Sequence, residues 1–331
     1  MKHFLMLLAS LISFTLSAQN QIATLSHDGT ITTKYGAEAF KTLYDSSVDG
    51  DIITLSSGSF KAPTELKKNI TVRGAGMGLA MSNGYTEPTF ISGYSAAKIE
   101  EYNSDFALTI EGVIFNEQFD IYNSKNLQIA KCKFKNLRFI ANYSGMEVSN
   151  CYLMHSLIED LYSTGNVYPK IVNCVVKKFS DDYYNYSDAP RDVFFLNSIV
   201  ETDHNFGWGD RFQNCVIVYS GTDNANFSNQ GNTNNLLIGK NDGNPFPNCD
   251  EGHPNYIMPN GSKTFLDNTF YQLTDEAKAY KGIDGSELGI YGGPYVFSAV
   301  PSNPQITKFN VAPRTTADGK LSVEIEVSIP Q

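Results

Sequence analysis

The sequence predicts an all-β fold, a parallel solenoid built from stacked short coils, and three observations lead there. The first is a recurring frame: an apolar residue, any residue, a turn residue, a small residue, any residue, then an apolar one. Its turn position falls at Gly74, Gly93, Gly112, Lys131 and Asn150, at equal intervals of 19 residues, and continues at Asn173, Asn197, Asn214 and Asn235, at intervals of 23, 24, 17 and 21. The second is composition. Nineteen Tyr, 21 Phe and 26 Gly with only 18% charged residues suit strands joined by many turns. The third is the period itself, near 20, which holds two or three short β segments with tight turns. Coils of that length pair their strands only with neighbouring coils.

The first twenty residues stand apart from the repeat. "MKHFLMLLASLISFTLSAQN" has one Lys, an apolar run from Phe4 to Leu16 and small residues ending at Ala18. It reads as a secretory signal peptide over residues 1–18, because the run is too short to span a bilayer. No Cys lies at the cut, which argues against a lipid anchor there. No later run has the length of a transmembrane helix. Removing residues 1–18 takes away one Lys and no acid, so the net charge moves from −10 to −11. Such an acidic, exported chain is a poor partner for nucleic acid or an anionic membrane surface. An acidic polysaccharide would need local basic residues or a bridging cation.

Each element of the frame has a physical reason. Gly and Asn dominate the turn because both tolerate the left-handed conformation of a sharp bend. Lys131 is the exception and is expected to carry some backbone strain. Two residues before the turn stand Leu55, Val72, Ile91, Ile110, Ile129, Val148, Ile171, Phe195 and Phe212, with the Leu55 copy turning at Ser57. Three residues after it stand Phe60, Met77, Ala96, Phe115, Phe134, Leu153, Val176, Val200, Ile217 and Ile238. The final copy is degenerate, with Thr233 in the leading position.

Four of the five cysteines follow the turn directly, as in "KIVNCVVK" (170–177). Side chains alternate along a strand, so Cys132, Cys151, Cys174 and Cys215 point inward, with Val113 and Ser198 in equivalent places. Their neighbours are aliphatic, without the His or carboxylate partners of a metal site. They are expected to form a buried thiol ladder that packs like small hydrophobes.

A leucine-rich repeat has a similar period, but its Leu and Asn spacing is absent. "GDIITLSSGSF" (50–60) followed by "KNITVRGAGMG" (68–78) instead resembles the first coils of right-handed parallel β-helix proteins, the pectin-lyase-like family. "GSELGIYGGPYVF" (285–297) is similar to the closing segment of its secreted bacterial members. The resemblance covers residues 22–298 and implies a single-stranded right-handed β-helix of about 10 coils. The helical "GAEAFKTLYDSSV" (36–48) would cap its open N-terminal end. Residues 301–331 alternate apolar and polar around "RTTADG" and read as an appended β-hairpin.

In a solenoid, sites lie on one lateral face and in the loops that interrupt the period. Here the insertions fall at 154–170, 177–192, 201–209 and 219–232. The strand after each frame projects Asp120, Arg138, Glu159, Asp181 or Asp182, and Asp203 at broadly equivalent places. They would line up about 5 Å apart along one outer face. Carboxylates bind calcium through oxygen, so Glu159, Asp181, Asp182 and Asp203 are the candidate metal ligands. Arg138 and Arg191 are the candidate catalytic bases of a polysaccharide lyase, in which the cation neutralises a uronate. Tyr183, Tyr184, Trp208 and His204 are the candidate sugar contacts, the aromatic rings through their apolar faces. The bland reading of the same residues is a solvated β face with aromatic loops packed back on it.

Family motifs do not carry the catalytic reading further. The paired arginines around a central Pro of pectate lyases are absent, since "APRD" (189–192) has one Arg. "DD" at 181–182 lacks the Gly-His-Gly partner of polygalacturonases. "RGAGMG" (73–78) mimics a phosphate loop but falls inside the repeat. "KNDGNPFPNCDEGHP" (240–254) lacks a regular calcium spacing and reads as a Pro-rich exit. Cys249 lies outside the ladder. Carbohydrate recognition at the cell envelope or outside the cell, by a monomer, is therefore the first expectation. A calcium-assisted lyase is the alternative, and a purely structural or adhesive surface protein the third reading.

Overall fold

The structure, a computed structural model, describes residues 21–78, 87–92, 97–100, 107–122, 126–140, 146–154, 156–159, 169–177, 179–181, 193–202, 211–219, 233–238, 249–252, 271–273, 275, 277–302, 304–311, 314 and 318–328. It is a right-handed parallel β-solenoid with almost no helix. Two sheets run along its axis. The first has ten strands and opens with an antiparallel pair, β1 (Ile22–His27) and β2 (Thr30–Tyr35), where β2 is the outermost strand. Parallel strands follow from Ile52–Leu55 to Arg211–Gln213. The second sheet extends from Gly58–Lys61 to Cys249–Gly252. Helix Ala39–Ser46 buries Ala39, Phe40, Leu43 and Tyr44.

The inward columns follow from alternation and in-register pairing. In the first sheet the column is Ile53, Val72, Ile110, Ile129, Val148, Ile171, Phe195 and Phe212. In the second it is Phe60, Ile91, Phe115, Phe134, Leu153, Val176, Val200, Ile217 and Leu237. Rings stack where coils bring like residues together: Phe115 on Phe134 and Phe195 on Phe212, each at 4.8 Å between centroids.

A single left-handed residue turns the chain from the first sheet into the second. Lys131, Asn150, Asn173, Asn197 and Asn214 hold φ between 46° and 56°, and Gly112 holds 70°. The strained backbone expected at Lys131 is present, with φ 55°.

The solenoid has about five regular turns rather than ten. The corners at those five residues and at Gly112 follow the expected frame, and the copies before Gly112 and after Asn214 are used differently. The copy at Ile91 is not a coil start. Val72 pairs directly with Ile110, and Ile91 belongs to the second sheet, between Phe60 and Phe115. The interval from Gly74 to Gly112 is thus one long coil, and two of the equal 19-residue spacings are coincidental. Gly74 is also not left-handed. A side chain there would lie 2.3 Å from the Gly112 carbonyl oxygen, so glycine is needed for close approach of two backbones. At the far end the left-handed residue is Asn234 (φ 52°), one place before the expected Asn235.

That one-residue slip places Asn235 in the ladder of the cysteines. The ladder reads Val113, Cys132, Cys151, Cys174, Ser198, Cys215, Asn235, all fully buried. The four cysteines are free thiols, as expected. The ladder also bonds. The N–H of Cys132 donates to Cys151 Sγ at 3.4 Å, that of Cys151 to Cys174 Sγ at 3.3 Å, and that of Ser198 to Cys215 Sγ at 3.5 Å. The N–H just after each corner therefore finds its acceptor in the side chain of the next coil, which satisfies a polar group inside the core.

Candidate functional site

Strands Val113–Tyr122 and Lys133–Ile140 are long enough to bend into a third face. Their second halves pair with Ala97–Glu100, Ser156–Glu159 and, beyond it, Phe179–Asp181. One register column of this face reads Lys98, Asp120, Arg138, Leu157, Ser180. Arg138 Nε donates to Asp120 Oδ1 at 2.9 Å and the guanidinium's second nitrogen donates to Oδ2 at 3.2 Å. Gln118 Nε2 donates to the same Asp120 Oδ1 at 2.9 Å. The Arg138 side chain is 26% exposed and that of Asp120 8%, so the fork sits partly out of water, where such a two-point pair is strongest.

The structure brings together two of the residues expected along this face and sets Glu159 and Asp181 in other register columns. Asp120 and Arg138 are in register. Glu159 pairs opposite Ile140, two residues beyond Arg138's own partner Leu157. Asp181 pairs opposite Ile158, which continues the column of fully buried Ile121. Arg138, Glu159 and Asp181 thus stand in three different columns. Asp182, Tyr183, Tyr184, Arg191, Asp203, His204 and Trp208 lie outside the described residues. Among the described residues, no group of three or more His, Cys, Asp or Glu is placed to hold a metal ion.

A second cluster, missed in the sequence, lies on the outward side of the second sheet. Tyr271 donates through its hydroxyl to Glu201 Oε1 at 2.8 Å, and Lys177 Nζ lies 3.6 Å from Glu201 Oε2. Lys133 Nζ stands 5.7 Å from the centre of the Tyr152 ring. Burial, and then the Glu201 charge, push the Tyr152 phenol up to about 12 and that of Tyr271 higher still. Burial alone lowers Lys133. The alternation in "AKCKFK" (130–135), with Cys132 and Phe134 inward, is the signal that could have marked Lys133 as outward. Tyr271 had no local signal, since it comes from a distant segment.

That segment is a strap. Tyr271, Leu273, Ala277, Leu288 and Ile290 pack on the outward Val175, Ile199, Val216 and Leu236. The chain then climbs back along the corner asparagines, one coil after another. Asn234 Nδ2 donates to the Lys281 carbonyl at 3.4 Å, and the Ile283 N–H donates to Asn214 Oδ1 at 2.9 Å. Asn173 Nδ2 donates to the carbonyls of Ile290 and Gly292, both at 3.0 Å, and the Ser298 N–H donates to Asn150 Oδ1 at 2.9 Å. The strap ends at Glu111, which accepts from the Ser302 N–H at 2.8 Å and pairs with Lys131 at 3.3 Å. The stretch 285–297 thus lies along the side of the coils.

Among the described residues no helix is long and apolar enough to cross a membrane. Comparison with family models, curated proteins and solved structures gave no match.

Proposed function

We propose that this is an exported β-helix protein that binds carbohydrate on the face carrying Asp120 and Arg138, with the loops between residues 138 and 211. In this reading residues 1–18 direct export, helix Ala39–Ser46 caps the N-terminal end, and 305–328 form an appended hairpin. One observation supports it: the fork of Arg138 on Asp120, shared with Gln118, on a lateral face. Sugar hydroxyls are bound by polar groups whose positions are already set by their neighbours, because little ordering is then left to oppose binding. In this reading the insertions at 177–192 and 201–209 supply Tyr183, Tyr184, His204 and Trp208 for the sugar itself. A lyase would ask Arg138 to take a proton, a role that its two hydrogen bonds to Asp120 oppose.

The test is calorimetric titration of the purified protein with a panel of neutral and acidic oligosaccharides, with calcium and with chelator. Absorbance of unsaturated sugar ends is followed in parallel. Binding that weakens about tenfold in Arg138→Ala, with the fold intact, supports the reading. A folded protein that binds nothing across the panel sinks it. A calcium-dependent rise in absorbance would convert it to the lyase.

A further inference from the structure

Two exposed strands on this chain fit each other, and they cannot meet within one molecule. The first is β2, the outermost strand of the first sheet, whose six residues are all exposed. The second is Val323–Ser328, which with Gln305–Val311 makes a separate two-stranded antiparallel sheet. Among the described residues neither β2 nor Val323–Ser328 has a strand on its outer side. A strand at the end of a sheet is a template for another strand. A two-stranded ribbon by itself is marginal in water.

We propose that Val323–Ser328 of one copy of this chain adds antiparallel to β2 of a second copy. The register that pairs all six residues sets Tyr35 opposite Val323, Thr33 opposite Ile325 and Ile31 opposite Val327. It sets Lys34 opposite Glu324, Thr32 opposite Glu326 and Thr30 opposite Ser328. Apolar residues meet on one side of the strands, and on the other a cation meets an anion. Ile31, Tyr35, Val323, Ile325 and Val327, each between 48% and 69% exposed, then share one apolar strip. Pairing Val323–Ser328 with itself is disfavoured. Every antiparallel register that overlaps the two strands well with their faces matched puts Glu324 or Glu326 against a glutamate.

Chain length rules out the same contact within one molecule. The strap is pinned at Ser302 by Glu111, on the strand Thr109–Glu111. That strand is four places from β2 in the sheet, and the donated hairpin would occupy the fifth and sixth places, with Gln305 in the sixth. Six strand spacings are about 29 Å. Three residues from Ser302 to Gln305 span at most about 10 Å. The hairpin therefore reaches only a neighbour's β2. Donor and acceptor are different surfaces, so the contact is head-to-tail unless two copies exchange hairpins reciprocally.

The experiment is sedimentation and light scattering of the whole protein over a concentration series, with Lys34→Glu, with Glu324→Lys and with both together. Both residues are exposed, and circular dichroism checks the fold of each variant. Association is expected in the wild type, about tenfold weaker in each single variant, where like charges face each other, and restored in the double variant. A wild type that stays monomeric throughout, or a double variant no better than the singles, overturns the proposal.

Discussion

The backbone N–H of Cys174 donates to Ser198 Oγ, one coil further on, at 3.2 Å, and that hydroxyl lies 2.9 Å from the Leu196 carbonyl. Ser198 thus serves as the cysteines do, and its place explains the cysteine ladder. A solenoid core wants an apolar residue at this position, while the N–H behind each corner wants an acceptor. Cys meets both needs, being apolar in bulk with a sulfur that accepts weakly. Ser and Asn meet the second more strongly.

Replacing Asn235 by Leu should therefore be costly. The Cys215 N–H loses its acceptor at 2.8 Å and stays buried, at about 1–3 kcal/mol. Ser198→Cys keeps an acceptor and should be nearly neutral. Urea midpoints compare the two, and equal effects would refute the bonding role.

Asn173 has two separable duties, the left-handed corner and the strap. Asn173→Gly keeps the φ of 49° but loses both hydrogen bonds to Ile290 and Gly292, about 1–3 kcal/mol in all. Asn173→Ala should cost about 1–2 kcal/mol more, because Ala resists that φ. Hydrogen exchange near residue 290 should quicken in both variants, and an unchanged rate would deny the strap its contact.

Gly74→Ala should destabilise through overpacking rather than through backbone conformation. The new methyl meets the Gly112 carbonyl at 2.3 Å and Val113 at 2.6 Å, and no flexible side chain is there to yield. A loss of about 1–3 kcal/mol is expected from the thermal midpoint. A neutral result would mean the two coils separate easily.

Cys132, Cys151, Cys174 and Cys215 should resist an aromatic disulfide reagent at pH 8 in the native protein and react only in denaturant. Burial pushes Cys215 up to about 12, and burial together with the neighbouring thiols raises Cys151, so little thiolate is present. Rapid native labelling of any of the four, read by mass spectrometry, would contradict the ladder.

His27 and Asp51 make the stability of the N-terminal end depend on pH. Their side chains meet at 2.7 Å. The hydrogen bond to Asp51, then the Asp51 and Asp28 charges, raise the His27 pKa above its usual value. Burial pushes Asp51 up, but the Val48 N–H and His27 outweigh it, and the net value lies below the ordinary carboxylate range. The raised His27 adds stability below its unfolded pKa, about 6.5, and loses it as pH rises through the folded value. The lowered Asp51 adds stability above about 3.9 and loses it as pH falls through its folded value. The melting difference between wild type and His27→Gln should thus be largest between about pH 4 and 6.5. A difference that grows above pH 8 would reverse the assignment.

The solenoid, the regular middle of its inward columns (from Ile110 to Phe212 and from Phe115 to Ile217) and its asparagine corners were legible from residue order alone, because each depends on alternation within a few residues and on a bend that few residue types accept. That reach is local, and its errors mark where locality ends. Nothing near Ile91 tells that Thr71–Arg73 pairs across to Thr109–Glu111, and only that pairing removes a coil from the count. Nothing beside Asn173 tells that a segment more than a hundred residues away binds its amide. The candidate site divides in the same way: Asp120 and Arg138 were readable as neighbours in one outward row, and the two-point hydrogen bond between them was not, since side-chain geometry sets it. Strand alternation is written in neighbouring residues. Register, the strap and the ion pair belong to contacts between distant ones, and only the folded chain decides them.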